Sequence, residues 1–363
     1  MTTEHDIKKT ALIISKYLPI WNYSLANCAD EKQVFDSHVR ALDYQKDSAE
    51  LWQDFADLIE KYVPDNHIEL RVNGKNLVNK KIPTTRQDIT KDVPQTHQAI
   101  LISPDKGSWY IGTNTVGKKK IGVVTIPFLS YSEGEKEETR NQFVNTFFKM
   151  KKENNWAGII FDFRGNTGGD ADVIKQIAEQ MGGKSVVYAS KTEQIRPKQD
   201  DPYQHLFKPQ ETQIISSIIT DNNEDRFSGP IYVLQDGWNA SAAEGAIYML
   251  KQLNNVTTIG EKTSGTYQSG NVVSVNINEN VELCIGTHYR ERLDKKHQII
   301  KEKDGMKADI PCPSNKAFKK ALMQFKMGNN HLIRSFCLLS KLFDLLPQKK
   351  SNTALFNTSK NQR

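Results

Sequence analysis

Long apolar runs are missing from this chain. Nowhere do about 18 apolar residues follow one another, the length a helix needs to cross a bilayer. The first residues, Met1 to Lys9, lack the basic-then-apolar order of a secretory signal. A cytoplasmic location is therefore expected. Cysteine is scarce too: the four in 363 residues are Cys28, Cys284, Cys312 and Cys337, with no C-x-x-C pair and no histidine at metal-ligand spacing. Neither a disulfide framework nor a zinc site is indicated, and no metal or cofactor is expected. Charge of one sign does not dominate. The formal net charge of +6 is spread along the chain, with small excesses at Lys118, Lys119 and Lys120 and in the C-terminal tail. No basic stripe is interleaved with aromatics, so no nucleic-acid partner is expected. Internal repeats are absent, as are G-x-G-x-x-G and the Lys-Ser/Thr of a P-loop, which leaves a nucleotide cradle weakly supported.

What is present suits a globular protein, with 37% apolar and 25% charged residues. The length suggests about two domains. From Asp6 to Val63 apolar residues recur at helical spacing, as in Ala11, Ile14, Leu18 and Trp21, then Leu51, Phe55, Leu58, Ile59 and Tyr62. A helical N-terminal subdomain over 1–85 is expected. It passes through the turn Pro64-Asp65-Asn66-His67 into a strand at Ile68–Val72 and an Asn73-Gly74 hairpin. Strands alternating with helices over 86–327 predict a mixed sheet with helices packed on it. Within that core, the polar, proline-containing segment 191–228 reads as an insertion or lid. Residues 328–363 carry an amphipathic helix over Leu332–Leu346, which could dock on the core or join two copies, and then a polar tail expected to be disordered.

Two turns hold most of the chemistry. In the first, the apolar run Pro230–Gln235 leads through Asp236-Gly237-Trp238-Asn239-Ala240 to Ser241, and a helix follows. A serine on such a turn has an exposed hydroxyl beside free helix N–H groups that can stabilise an oxyanion. The same residues, Ser241-x-x-Glu244, also spell a capping box that only satisfies those N–H groups. In the second, the strand-like run Trp156–Arg164 enters Gly165-Asn166-Thr167-Gly168-Gly169, at a strand's carboxyl end where such sheets bind ligands. It reads equally as a tight turn or as a backbone anion site. His67, at a helix-to-strand boundary, fits a locally hydrogen-bonded surface residue, and Glu302 one solvated charge in a charged run.

Three stretches together resemble the serine peptidases that include tail-specific (C-terminal processing) proteases, the tricorn core protease and the chlamydial protease-like activity factor. Ile159–Gly169 is similar to the family's Asp-Leu-Arg-x-Asn-x-Gly-Gly turn. Ala240–Glu244 is similar to its Ser-Ala-Ser-Glu nucleophile motif, and Ile259–Gly265 to the Gly-Glu-x-Thr-x-Gly that follows. The resemblance spans roughly residues 120–313. It implies an α/β, crotonase-like mixed sheet with flanking helices and a serine endopeptidase acting on peptides or unfolded proteins. The lysine of the tail-specific Ser–Lys dyad would stand where this chain has Thr266, and Lys262 occupies a position the family does not use. The chlamydial type implies Ser241, His67 in its Asp-x-His turn and Glu302 in Glu-x-x-Gly as the catalytic set. Ala242, with Gly168 and then Gly169, would form the oxyanion hole, and Glu244 stays a helix-start residue. The chain between His67 and the core leaves no room for a peptide-binding PDZ domain. The alternative implied by the same fold is an inactive binding module holding a peptide or apolar ligand.

Overall fold

The computed structural model describes residues 2–18, 21, 29–78, 95–103, 107–131, 136–181, 187–194, 213–218, 226–267, 269–293 and 305–327. Glu302, the stretch 332–346 and the tail beyond it lie outside the described residues.

Three helices open the chain: α1 (Thr3–Tyr17), α2 (Ala29–Arg40) and α3 (Ser48–Tyr62). Thr2 caps α1 by accepting the His5 N–H, and Asp47 caps α3 by accepting those of Ala49 and Glu50. Their apolar faces, with Ile7, Ile14, Leu51, Phe55 and Ile59, share a core with Leu70, Leu283 and Ile285 from a six-stranded sheet. That sheet runs β2 (Lys75–Asn76), β1 (Glu69–Val72), β12 (Val281–Leu293), β7 (Val187–Gln194), β8 (Gln213–Ile218), with β11 (Ser269–Asn276) also on β12. The β1–β2 hairpin turns on Asn73 and Gly74 at φ 51° and 75°, as a two-residue Asn-Gly turn demands. Strands β7 and β8 fall within or beside the segment read as an insertion or lid.

The second sheet has seven strands, in the order β13 (Ile310–Pro311), β10 (Val256–Gly260), β9 (Ile231–Gln235), β6 (Gly158–Asp162), β5 (Lys119–Thr125), β4 (Gly107–Val116), β3 (Thr96–Ser103). Strands β13 to β5 pair in parallel, while β4 and β3 are antiparallel. The architecture is therefore a mixed sheet with flanking helices. Strand periodicity divides its side chains between two cores. Val124, Ile159, Phe161, Ile231 and Val233 face α4 (Lys136–Asn154), α5 (Asp172–Met181) and α6 (Ala242–Lys251). Ile121, Val123, Ile160, Tyr232 and Leu234 face Ala317, Phe318, Ala321 and Phe325 of α7 (Ser314–Met327). Covered on both sides, β6 and β9 are buried at every position. That double cover is why they read as unbroken apolar runs. Among the described residues no helix is long and apolar enough to cross a membrane.

Candidate active site

The two turns singled out in the sequence lie side by side at the carboxyl ends of β6 and β9. Asn239, fully buried, joins them. Its Oδ1 accepts the Asp236 N–H at 2.8 Å, and its Nδ2 donates to the carbonyls of Phe163 and Asn166. Asp236, buried below the turn, accepts from Gly165 N at 2.9 Å, Trp238 N at 3.0 Å and Ser314 Oγ at 3.2 Å. Burial pushes its carboxyl above the usual aspartate range, and those donors pull the other way. Behind it, Arg164 forks onto both oxygens of Asp162, at 2.8 and 2.6 Å, and donates to the Ser314 carbonyl at 2.8 Å. Both partners of that pair are buried, so the glycine turn stands on a fixed base.

Ser241 has φ 51° and ψ −120°, a conformation that costs a residue with a side chain about 1–3 kcal/mol. In it the hydroxyl makes no capping bond to α6. The capping box is thus not formed, and its other half is absent as well. Glu244 does not reach back to the Ser241 N–H; its buried carboxylate accepts from Thr263 Oγ1 at 2.5 Å, Gly265 N at 3.0 Å, Thr266 N at 2.7 Å and Thr266 Oγ1 at 3.2 Å. The Ser241 N–H is taken instead by Thr266 Oγ1 at 2.7 Å. Ser241 itself is half-buried.

The glycine turn meets the serine through Gly168. At φ 111°, a Cβ on Gly168 would lie 3.0 Å from Ser241 Cβ, 2.9 Å from the Ala240 carbonyl oxygen and 3.1 Å from Ala242 N. Gly169, at φ 125°, is pressed against Leu129, with which it forms a parallel bridge. The Gly168 N–H donates to Asn166 Oδ1 at 2.9 Å, whereas those of Ala242 and Gly169 donate to no group among the described residues. Ser241, Ala242 and Gly168 are therefore together, with an unspent donor at the start of α6.

His67 sits in the turn from α3 to β1, where its N–H donates to Asp65 Oδ1 at 2.8 Å in an Asx turn. Its Nδ1 is buried with no hydrogen-bond partner, 3.5 Å from the same oxygen of the buried Asp65. No hydrogen bond joins His67 to Ser241 among the described residues. Both β1 and β11 pair with β12, and the His67 end of β1 points the same way along β12 as the end of β11 that follows Thr266. Glu302 is outside the described residues. Three residues later the chain returns at Gly305 (φ 93°), packed on Thr263, and Met306 exchanges two hydrogen bonds with Thr263. Lys262 is exposed. The sequence assigned no role to Asn239 or Asn166, and to Asp65 only a place in the Asp-x-His turn. An Asn within each tight turn and an Asp two residues before the His were the available signals.

The sequence matches the profile of peptidase family S41 over residues 120–312. No curated protein matches the chain. Among solved structures, a candidate peptidase from Parabacteroides merdae is 16% identical, covers 89% of this chain and 98% of its own, and superposes with a TM-score of 0.60. Mature CPAF is 13% identical, with 90% and 96% covered and a TM-score of 0.56. Mature CPAF complexed with lactacystin gives 13%, 94% and 99%, and 0.55. At these identities the likeness is one of fold.

Proposed function

The chain belongs to peptidase family S41, a family of serine peptidases, and from that membership we propose an endopeptidase in which Ser241 is the nucleophile, His67 its general base and Glu302 the carboxylate that orients the imidazole. The observation that carries the reading is the Ser241 backbone. A positive-φ serine with an uncapped hydroxyl, set against a glycine and beside a free N–H, is a costly arrangement for a structural turn and a suitable one for a nucleophile.

In this reading neutral His67 takes the Ser241 hydroxyl proton as Oγ attacks the carbonyl carbon of a peptide bond. The oxyanion is held by the Ala242 and Gly169 N–H groups. Gly168 contributes the absence of a side chain, its own N–H serving Asn166. The imidazolium then gives its proton to the departing amine, leaving an acyl-enzyme. Water, deprotonated by the same imidazole, attacks the ester and releases the acid. For Nε2 to accept the Ser241 proton, Nδ1 must carry its own, and a buried Nδ1–H without a partner calls for an acceptor. Glu302 is the group the family resemblance points to, and Asp65 is the carboxylate already 3.5 Å away. The substrates are peptides or unfolded protein in the cytoplasm, and the stretch 332–346 serves docking or self-association.

The test is labelling of the purified chain with a fluorophosphonate probe alongside hydrolysis of an unfolded protein. Wild type should label and cleave, Ser241→Ala should do neither, and His67→Ala should lose activity by orders of magnitude while Lys262→Ala does not. Comparing Glu302→Gln with Asp65→Asn assigns the orienting carboxylate. A folded wild type that neither labels nor cleaves would leave the binding-module reading in place of this one.

A further inference from the structure

We propose that Thr266 is a positioning residue for Ser241: its hydroxyl, anchored to the buried carboxylate of Glu244, holds the nucleophile's backbone in the strained form that presents Oγ. The inference rests on the reading of Ser241 as the nucleophile. It concerns the position at which the tail-specific proteases place their catalytic lysine.

Counting protons fixes the direction of the chain of hydrogen bonds. A threonine hydroxyl has one proton and two lone pairs. Three neighbours approach Thr266 Oγ1: Ser241 N at 2.7 Å, Ser264 Oγ at 3.1 Å and Glu244 Oε2 at 3.2 Å. The Ser241 N–H can only donate, so it takes one lone pair. Ser264 already donates its proton to the Asn239 carbonyl at 2.8 Å and has none to give. The Thr266 proton goes to the carboxylate, the stronger acceptor of the two left. The result is a directed relay, Ser241 N–H to Thr266 O–H to Glu244, in which the charged end strengthens the bond at the serine.

Both ends of the relay are tied down. Glu244 lies in the first turn of α6, fully buried, and also receives the N–H groups of Gly265 and Thr266. Ser264, next but one in sequence, bonds the Asn239 carbonyl through its N–H at 2.9 Å as well as its hydroxyl. The loop Thr263–Thr266 therefore grips the nucleophile turn on both sides of Ala240. Two consequences follow. The Ser241 N–H is spent on the relay and is not a donor to the oxyanion, which leaves that task to Ala242 and its neighbour across the turn. The angle of Ser241 is held by a group that touches neither its hydroxyl nor the substrate, so Thr266 acts on the reaction only through the serine.

A staple that merely stabilised the loop would change folding but not the chemistry of molecules that fold. The experiment compares wild type, Thr266→Val, which keeps the shape and removes the hydroxyl, and Thr266→Ser, which restores it. It reads the second-order rate of fluorophosphonate labelling together with kcat and KM on a peptide substrate. For Thr266→Val, labelling and kcat should fall by about a hundredfold, the scale of a misplaced reacting group, with KM unchanged. Thr266→Ser should recover most of the loss. Folded Thr266→Val that labels as fast as wild type, or a serine variant that does not recover, overturns the proposal while leaving the peptidase reading standing. A wild type that does not label removes both. If Thr266→Val fails to fold, Glu244→Gln tests the same relay, since it keeps the shape and removes the charge. Slower labelling with unchanged KM supports the relay, and an unchanged rate overturns it.

Discussion

Two adjacent glycines should fail in different ways when given the same methyl group. In Gly168→Ala the new Cβ stands 2.9 Å from the Ala240 carbonyl oxygen, 3.0 Å from Ser241 Cβ and 3.1 Å from Ala242 N. All three are tighter than ordinary van der Waals contact, and two belong to the backbone, so the nucleophile turn has to shift by a few tenths of an ångström. The φ of 111° adds strain of about 1–3 kcal/mol for alanine. The protein should still fold, with its urea unfolding free energy lower by about that amount. The oxyanion donors, which need to lie within ~0.4 Å of their best distance, move with the turn. A labelling rate lower by roughly 10- to 100-fold is expected, equivalent to about 1.4–2.7 kcal/mol of transition-state stabilisation. In Gly169→Ala the methyl would overlap the carbonyl of Leu129, which is backbone and bridged to that glycine. The loss of stability there should reach about 4 kcal/mol or more. Urea denaturation and fluorophosphonate labelling, run on both variants, separate the two effects. A folded Gly168→Ala protein labelled at the wild-type rate would refute the placement of the glycine turn against the nucleophile.

Arg164→Ala, which strands the buried Asp162 carboxylate, should cost about 3–5 kcal/mol in urea unfolding, and an unshifted midpoint would contradict the buried pair. The raised Asp236 carboxyl contributes stability that is full at low pH and lost as pH rises through its folded value. Asp236→Asn should therefore gain on wild type as pH climbs out of the ordinary aspartate range, and a gain in the opposite direction would reverse the sign argued from burial. Truncation after Met327 should leave labelling intact, because α7 closes the second core and every candidate catalytic residue precedes it. A folded but inactive truncation would show that the tail completes the site.

The sheet core was legible because its central strands are buried on both faces. Trp156–Arg164 and Pro230–Gln235 read as strands and contain β6 and β9. The Asn73-Gly74 hairpin followed from turn chemistry. Strands β7 and β8 were hidden, since Val187–Gln194 has neither an apolar run nor clean alternation and takes its register from β12. At the site, residue types announced Ser241 and Gly168 but not their relation. Ser241-x-x-Glu244 has the composition of a capping box, and only the folded chain, through φ at Ser241, its uncapped hydroxyl and the bonds of Glu244 to the 263–266 loop, distinguishes a cap from a presented nucleophile. Glu244 and Thr266 are 22 residues apart, and no local pattern links them. Thr266 stood out in the sequence only as the position without a lysine.

The pairing of β1 with β12 has a bearing on how the chain is made. Leu70 sits opposite Leu283 and Glu69 opposite Cys284, so the strand that follows His67 finds its long-range partner only late in synthesis. Ser241 and the glycine turn, by contrast, follow β9 and β6, strands that neighbour each other in the seven-stranded sheet. In a nascent chain that ends before β12, β1 has only its hairpin mate β2 as a sheet neighbour. The turn that carries His67 is therefore fixed to the six-stranded sheet only when the chain has been made as far as Val281–Cys284.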